Sequence, residues 1–190
     1  IKQCLVGSEM CIRDSFSIID YEGNVVSNTY TLNTAYGSGI VAKGTGILMN
    51  NEMDDFSIKP GTPNVYGLIG SEANKIESKK SPLSSMSPTI VFKDSKPFLI
   101  TGSQGGSMII NTVFQEILNT IEFNMELSES NEKSRIHYQW KPSVLFHEGL
   151  NKSLIDELSK NMKLMERKIG ETQSISCLLY TSDAADDDRG

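Results

Sequence analysis

Between residues 89 and 121 the chain reads TIVFKDSKPFLITGSQGGSMIINTVFQEILNTI. The β-branched and aromatic residues of TIVFK, a turn at Asp94-Ser95-Lys96 and then PFLIT predict a β-hairpin. GSQGGS follows, and beyond it Ile110, Val113, Phe114, Ile117, Leu118 and Ile121 recur at three- and four-residue steps. That spacing predicts a helix with this face buried. A strand that enters a helix through a glycine turn restricts the fold to sheet with helices packed on it. It also leaves backbone N–H groups unshielded at the start of a helix dipole, a setting suited to phosphate, carboxylate or a developing oxyanion. The same glycines serve equally well as a tight turn needed only for its dihedral angles. A P-loop is excluded, because no Gly-Lys-Ser/Thr closes the stretch.

The rest of the chain agrees with a mixed architecture. FSIID, a turn at Glu22-Gly23-Asn24 and VVSNTYTL predict an earlier hairpin. Gly37, Gly39, Gly44 and Gly46 fall within ten residues, which predicts bulges or close backbone approach. Residues 57–82 are polar and turn-rich and predict a surface loop or lid. Residues 125–134 predict a short helix, and VLFHEG a strand. NKSLIDELSKNMKLMERK predicts an amphipathic helix opened by an Asn or Ser cap. The fold class expected is α+β. No internal repeat is present.

With 190 residues and 38% hydrophobic content, the chain can bury one core. The net charge of −6 argues against nucleic acid as a partner, although four aspartates of the final DAADDDRG supply much of it. No apolar run approaches the length of a membrane span, and no secretory signal opens the chain as given. The three cysteines, Cys4, Cys11 and Cys177, all lie near the ends. A disulfide framework or zinc site in the body is therefore excluded.

Several clusters carry possible chemistry. NNEMDD places Glu52, Asp54 and Asp55 within four residues, beside Asn50 and Asn51. Such oxygens can hold a divalent cation, although the spacing is not that of an EF-hand; they can grip a substrate ammonium, or simply face water. PLSSMSPT fixes Ser84 and Ser85 between prolines, without the Gly-x-Ser-x-Gly elbow of a serine hydrolase. TYTLNT sets Thr29 and Thr31 on a strand, a pattern shared with half-buried packing. His137 and His147 have no motif around them, and Trp140 in RIHYQW reads as core or interface.

In this order, TYTLNT, NNEMDDFS, PLSSMSP, TGSQGGSMIINTV, RIHYQW and GETQSI resemble the small subunit of γ-glutamyltranspeptidases, over Phe16 to Ile175. The resemblance implies an N-terminal-nucleophile hydrolase fold, an αββα sandwich of which this chain is the small-subunit part. It also implies a precursor that cleaves itself and a threonine whose hydroxyl attacks the γ-glutamyl carbonyl of glutathione. The freed α-amino group acts as base, since its ordinary pKa of about 8 leaves a useful neutral fraction near pH 7. The acyl group then passes to water or to an amino acid or peptide acceptor. By the same resemblance Thr31 supports the nucleophile. Asn33, Glu52 and Asp55 hold the substrate α-amino group, and Ser84 and Ser85 its carboxylate. Gly105 and Gly106 form the oxyanion hole, and Tyr66 is the lid. No cofactor or metal is implied. The partner implied is the large subunit of the same precursor, in a heterodimer. The expected location is periplasmic, extracellular or at the cell surface.

The family carries Thr-Thr-His before the first hairpin, where this chain has Arg13, Asp14 and Ser15. Arginine stays protonated and cannot attack an acyl group. The chain as written is therefore expected to be inactive. Ser15 is not assigned as nucleophile. Residues 1–15 and 176–190, including SEMCIRDS and SCLLYTSDAADD, look like sequencing-adapter read-through around a 16–175 family domain. Two alternatives stand beside the enzyme: a non-catalytic relative that binds γ-glutamyl compounds, and a calcium module built on NNEMDD.

Overall fold

The computed structural model describes residues 14–64 and 66–177. Arg13 and most of the two terminal stretches lie outside them. Strand β1 spans Asp14–Ile19 and β2 Val25–Tyr30, antiparallel, with Asp14 opposite Tyr30 and Ser15 opposite Thr29. The ladder thus begins two residues before Phe16. Strand alternation sends Ser15, Ser17, Ser27 and Thr29 to one face, and Phe16, Ile18, Val26 and Tyr30 to the other. The hydroxyl face is turned inward: Ser17 Oγ donates to the Gln173 carbonyl and Ser27 Oγ to the Thr101 carbonyl, each at 2.6 Å. The apolar face is open, with Ile18 49% and Tyr30 56% exposed.

The second hairpin forms as the sequence indicates, from β3 (Thr89–Lys93) and β4 (Lys96–Thr101). Asp94 and Ser95 both take positive φ, at 50° and 62°, giving the two-residue turn that matches strand twist. Strand β5 (Ser103–Gln104) leads through Gly105 and a 3-10 turn (Gly106–Met108) into α1 (Ile109–Ile121). Next come α2 (Leu127–Glu132), β6 (Arg135–Gln139), β7 (Val144–Glu148) and α3 (Lys152–Leu158). Short strands β8 (Leu164–Glu166), β9 (Glu171–Thr172) and β10 (Ile175–Ser176) close the described chain. Among the described residues the sheets are β1-β2, β10-β4-β3, β5-β9 and β6-β7-β8. The first hairpin packs across the β10-β4-β3 sheet, and α1 packs against β5, β6 and β9. Leu99, Ile100, Ile109 and Ile169 are fully buried, and Ile169 joins Met108, Val144 and Phe146 in the core.

Three expectations need correction. The α1 helix forms, but its buried residues are Ile109, Thr112, Val113, Glu116 and Thr120. Of the expected apolar stripe Val113 is buried and Ile117 and Leu118 are half-buried, but Ile110, Phe114 and Ile121 are 54%, 56% and 42% exposed. The helix turns a partly polar face inward because β4 and the segment before β10 offer it hydroxyl partners. The expected helix over NKSLIDELSKNMKLMERK stops at Leu158. It is capped as foreseen, Asn151 Oδ1 accepting the Leu154 N–H at 2.9 Å, but residues 164–166 instead pair parallel with β7. Trp140 is 73% exposed, so it is not core.

Candidate active site

The site is assembled where β2 ends. Thr31 Oγ1 accepts the Asn33 N–H at 2.7 Å, and Asn33, fully buried, takes a φ of 75°. Asparagine tolerates this left-handed conformation better than most side chains. Asn33 Nδ2 donates to the Asn51 carbonyl at 3.2 Å, fastening the strand end to NNEMDD. Glu52–Asp55 form one 3-10 turn whose first N–H is taken by Asn50 Oδ1 at 3.1 Å. The acidic cluster is thus a folded turn beside Asn33. Among the described residues no group of three His, Cys, Asp or Glu is placed to hold a metal ion.

Tyr66 bridges the two sides. Its hydroxyl lies 3.0 Å from both the Asn33 carbonyl and Asn33 Oδ1. Its ring covers the glycine turn: a methyl group on Gly106 would stand 3.4 Å from Tyr66 Cε1. Gly105 and Gly106 have φ of 132° and 60°, which a side chain would strain. Gly105 also packs on Gly170, whose Cα would be 3.1 Å from an added methyl. Ser85 Oγ donates to the Gly106 carbonyl at 2.9 Å. Thr31, Asn33, Tyr66, Gly106 and Ser85 therefore form one unbroken run of contacts. Ser84 stands apart from that run, exposed, its hydroxyl accepting the Met86 N–H at 3.2 Å.

A cleft of about 500 Å³ opens beside Tyr66, and Asp55, Ser85, Ser107, Gln139 and Trp140 are among its lining residues. It takes in Asp54 and Asp55 of the acid turn and Ser85, but not Glu52, Ser84, Asn33, Thr31, Gly105 or Gly106. Ser15, 5% exposed, is hydrogen-bonded to Thr29 Oγ1 at 2.8 Å.

Two positioning residues are not apparent from the sequence. Asn74 Nδ2 donates to the Asp55 carbonyl at 2.7 Å while its Oδ1 accepts the Leu83 N–H at 2.9 Å, joining the acid turn to the serine segment. Gln139 Oε1 accepts Ser107 Oγ–H at 3.2 Å and lies 3.1 Å from His137 Nε2. The available signal was only an amide in a polar loop and another at a strand end.

A hairpin packed across a sheet, a helix against neighbouring strands and a glycine turn beside that hairpin fit the N-terminal-nucleophile hydrolase fold that the resemblance implies. Comparison with known proteins narrows this class. The gamma-glutamyltranspeptidase family model matches residues 15–190, and the chain belongs to that family. It is 50% identical over 163 residues to the glutathione hydrolase proenzyme of Escherichia coli, covering 84% of this chain and 28% of that protein. It is 42% identical over 182 residues to the proenzyme of the same name from Pseudomonas aeruginosa, covering 92% and 33%. The chain therefore spans a third or less of the length of these relatives. Among solved structures, a mutant gamma-glutamyltranspeptidase of Helicobacter pylori superposes with a TM-score of 0.82 at 50% identity, covering 85% of this chain and 89% of that one. The Bacillus anthracis transpeptidase CapD shares the fold, with a TM-score of 0.61 at 22% identity, covering 85% and 84%.

Proposed function

We propose that this chain is the small-subunit region of an enzyme that hydrolyses glutathione and transfers γ-glutamyl groups to amino acids or peptides. The observation that carries the reading is the run of contacts from Thr31 through Asn33 and Tyr66 to Gly106 and Ser85. It links a strand-end hydroxyl, an amide, a lid ring, a glycine turn and a serine, and Tyr66 and Ser85 of that run line the cleft. An α-amino acid head group needs such an arrangement of acceptors for its ammonium, donors for its carboxylate and N–H groups for the carbonyl under attack.

In this reading a threonine hydroxyl preceding the hairpin attacks the γ-carbonyl, and Thr31 orients it. The negative charge that develops on the carbonyl oxygen faces the N–H groups of Gly105 and Gly106. Asn33, Glu52 and Asp55 hold the ammonium, Ser84 and Ser85 the carboxylate, and Tyr66 closes the pocket. The amide C–N bond breaks, and the amine leaves with the proton that the α-amino group took from the hydroxyl. The resulting γ-glutamyl ester passes its acyl group to water or to an amine. The position assigned to the nucleophile is occupied here by Arg13. The test is turnover of a γ-glutamyl anilide by the full-length precursor with threonine at that position. Burst release of the aniline supports the reading. A correctly folded, self-cleaved protein with no turnover rejects it. Arg13 favours a second reading, a relative that binds γ-glutamyl compounds without cutting them, for which saturable binding without turnover is the mark.

The partner we infer is a large subunit cut from the same precursor. Open apolar faces support it: Phe16, Ile18 and Tyr30 on the first hairpin, and Ile110, Phe114 and Ile121 on α1 are all more than a third exposed. The periplasmic, extracellular or cell-surface location is proposed from family membership alone, and fractionation of the tagged full-length protein tests it.

A further inference from the structure

Glu116 is the most deeply buried carboxyl among the described residues, 1% exposed in the middle of α1, and nothing in the proposed reaction uses it. Two hydroxyls bond its oxygens in a ring, and a third, that of Thr172, stands nearby. Thr101, at the end of β4 and fully buried, bonds its Oγ1 to Glu116 Oε2. Ser174, just before β10, places its Oγ 2.7 Å from Glu116 Oε1 and 2.9 Å from Thr101 Oγ1. Three oxygen–oxygen contacts therefore close a ring through three segments of the chain.

Counting hydrogens decides the state of the ring. Each hydroxyl carries one hydrogen, so Thr101 and Ser174 together supply two for three contacts. With an ionised carboxylate, one pair of oxygens would face each other with no hydrogen between them. A neutral carboxylic acid supplies the third, and the ring runs Glu116 Oε1–H to Ser174 Oγ, Ser174 Oγ–H to Thr101 Oγ1, and Thr101 Oγ1–H to Glu116 Oε2. We infer that Glu116 is a positioning residue held as a neutral carboxylic acid, whose closed ring fixes the end of β4 and the glycine turn that follows it.

The surroundings agree. Burial is the largest influence on the Glu116 carboxyl and pushes its pKa above the ordinary glutamate value, against the hydroxyl bonds and the charge of Arg135. Arg135 is partly satisfied elsewhere: Nη2 donates to the Asn131 carbonyl at 2.8 Å, and Nη1 lies 4.0 Å from Glu148 Oε2. Thr172 also favours the charged form, but its one hydroxyl hydrogen is directed to Asn131 Oδ1 at 2.8 Å and adds none to the ring. The ring's position gives it reach. The Thr101 carbonyl accepts from Ser27 of the first hairpin, and Gly102 accepts the Gln173 N–H at 2.9 Å. One residue beyond Gly102 begins strand β5, which leads directly into Gly105 and Gly106. A loosened ring would therefore shift the glycine turn relative to the hairpin.

The protonation state stands on the ring geometry, whereas the effect on turnover rests on the proposed function. Two variants of the full-length protein, Glu116→Gln and Glu116→Ala, test both. Glutamine keeps one donor and one acceptor and can replace the neutral acid; alanine cannot. In infrared difference spectra at neutral pH, the wild type minus Glu116→Gln should show the carbonyl band of a protonated carboxyl. A carboxylate band there instead overturns the inference. Because the native pKa is raised, the stability Glu116 contributes is complete below its unfolded value and is lost as pH rises through the native one. The melting temperature of Glu116→Gln should match wild type in acid and exceed it at alkaline pH; an equal pH dependence counts against a neutral Glu116. Where turnover is measurable, Glu116→Ala should lower kcat on the order of 10²-fold with little change in KM, and Glu116→Gln should restore it. Equal loss in both folded variants overturns the positioning role. A full-length wild type without turnover that still shows the protonated band rejects the proposed function and keeps the ring.

Discussion

The chain has two glycine-rich stretches, residues 37–46 and 102–106, and they use glycine for different reasons. In the first, Gly39, Gly44 and Gly46 take positive φ, yet a methyl group on any of them would meet nothing within 4 Å. Their glycine is a matter of backbone angle alone. In the second stretch every glycine has a neighbour where a side chain would go. Gly102 lies against Ser15 and Thr29, Gly105 against Gly170, and Gly106 against the Tyr66 ring. Density of glycine therefore does not mark a site; close approach by groups from distant segments does. Gly37 is the exception in the first stretch. A methyl group there would overlap the Met49 carbonyl, and Thr34 next to it reaches Asn51 and so the site.

The largest effect expected from this contrast is at Gly106. Gly106→Ala adds a methyl 3.4 Å from Tyr66 at a φ of 60°. It would tilt the N–H groups proposed to receive the oxyanion. Losing such a donor costs roughly 10²–10³ in kcat. Steady-state kinetics of the full-length protein, with circular dichroism to confirm folding, should show kcat falling far more than KM rises. Near-normal kcat would break the link between close approach and function.

Gly37→Ala should come second. The obstruction is backbone, which cannot rotate away, so loss of stability should exceed about 1 kcal/mol. Denaturant midpoints measure it, and an unchanged midpoint would place Gly37 with its indifferent neighbours. Tyr66→Phe should follow. It removes the hydroxyl held by Asn33 and keeps the ring over Gly106, for a net loss of about 0.5–1.5 kcal/mol. If Tyr66 acts as the lid, that loss should fall on KM more than on kcat.

The local features of this fold were legible in the sequence, and its long-range choices were not. Both hairpins, the glycine turn and the start of α3 follow from short-range signals: turn residues between β-branched runs, and a cap before a helix. The inward face of α1 did not follow. Periodicity located Ile110, Phe114 and Ile121 correctly as one stripe, but assumed that an apolar stripe is buried within the same chain. The helix instead gives Glu116 and Thr112 to the interior, because Thr101, Ser174 and Ile169 supply partners from segments far away in sequence. Strand β8 was hidden for a similar reason. LME continues a helical pattern, and only its non-local pairing with β7 makes it a strand. At the site, Thr31, Asn33, Tyr66, Gly106 and Ser85 were reached through motif resemblance, and their contacts join them. Asn74 and Gln139 were missed because an amide that bridges two loops looks, in sequence, like any other polar loop residue.

The smallest effect expected is the one that isolates backbone angle from close approach. Gly44 takes a φ of 80° with open space around its missing side chain. Alanine there should lose about 1 kcal/mol through dihedral strain alone. Asparagine tolerates the left-handed region, so Gly44→Asn should recover most of that loss. The paired substitution at Gly106 should behave otherwise. Asparagine relieves the dihedral strain there but enlarges the clash with Tyr66, so Gly106→Asn should be at least as damaging as Gly106→Ala. Denaturant midpoints of the four variants, measured together, separate the two roles. Recovery by asparagine at both positions would reduce the second stretch to a turn like the first. Recovery at Gly44 alone would leave Tyr66 packing as the reason for glycine at 106.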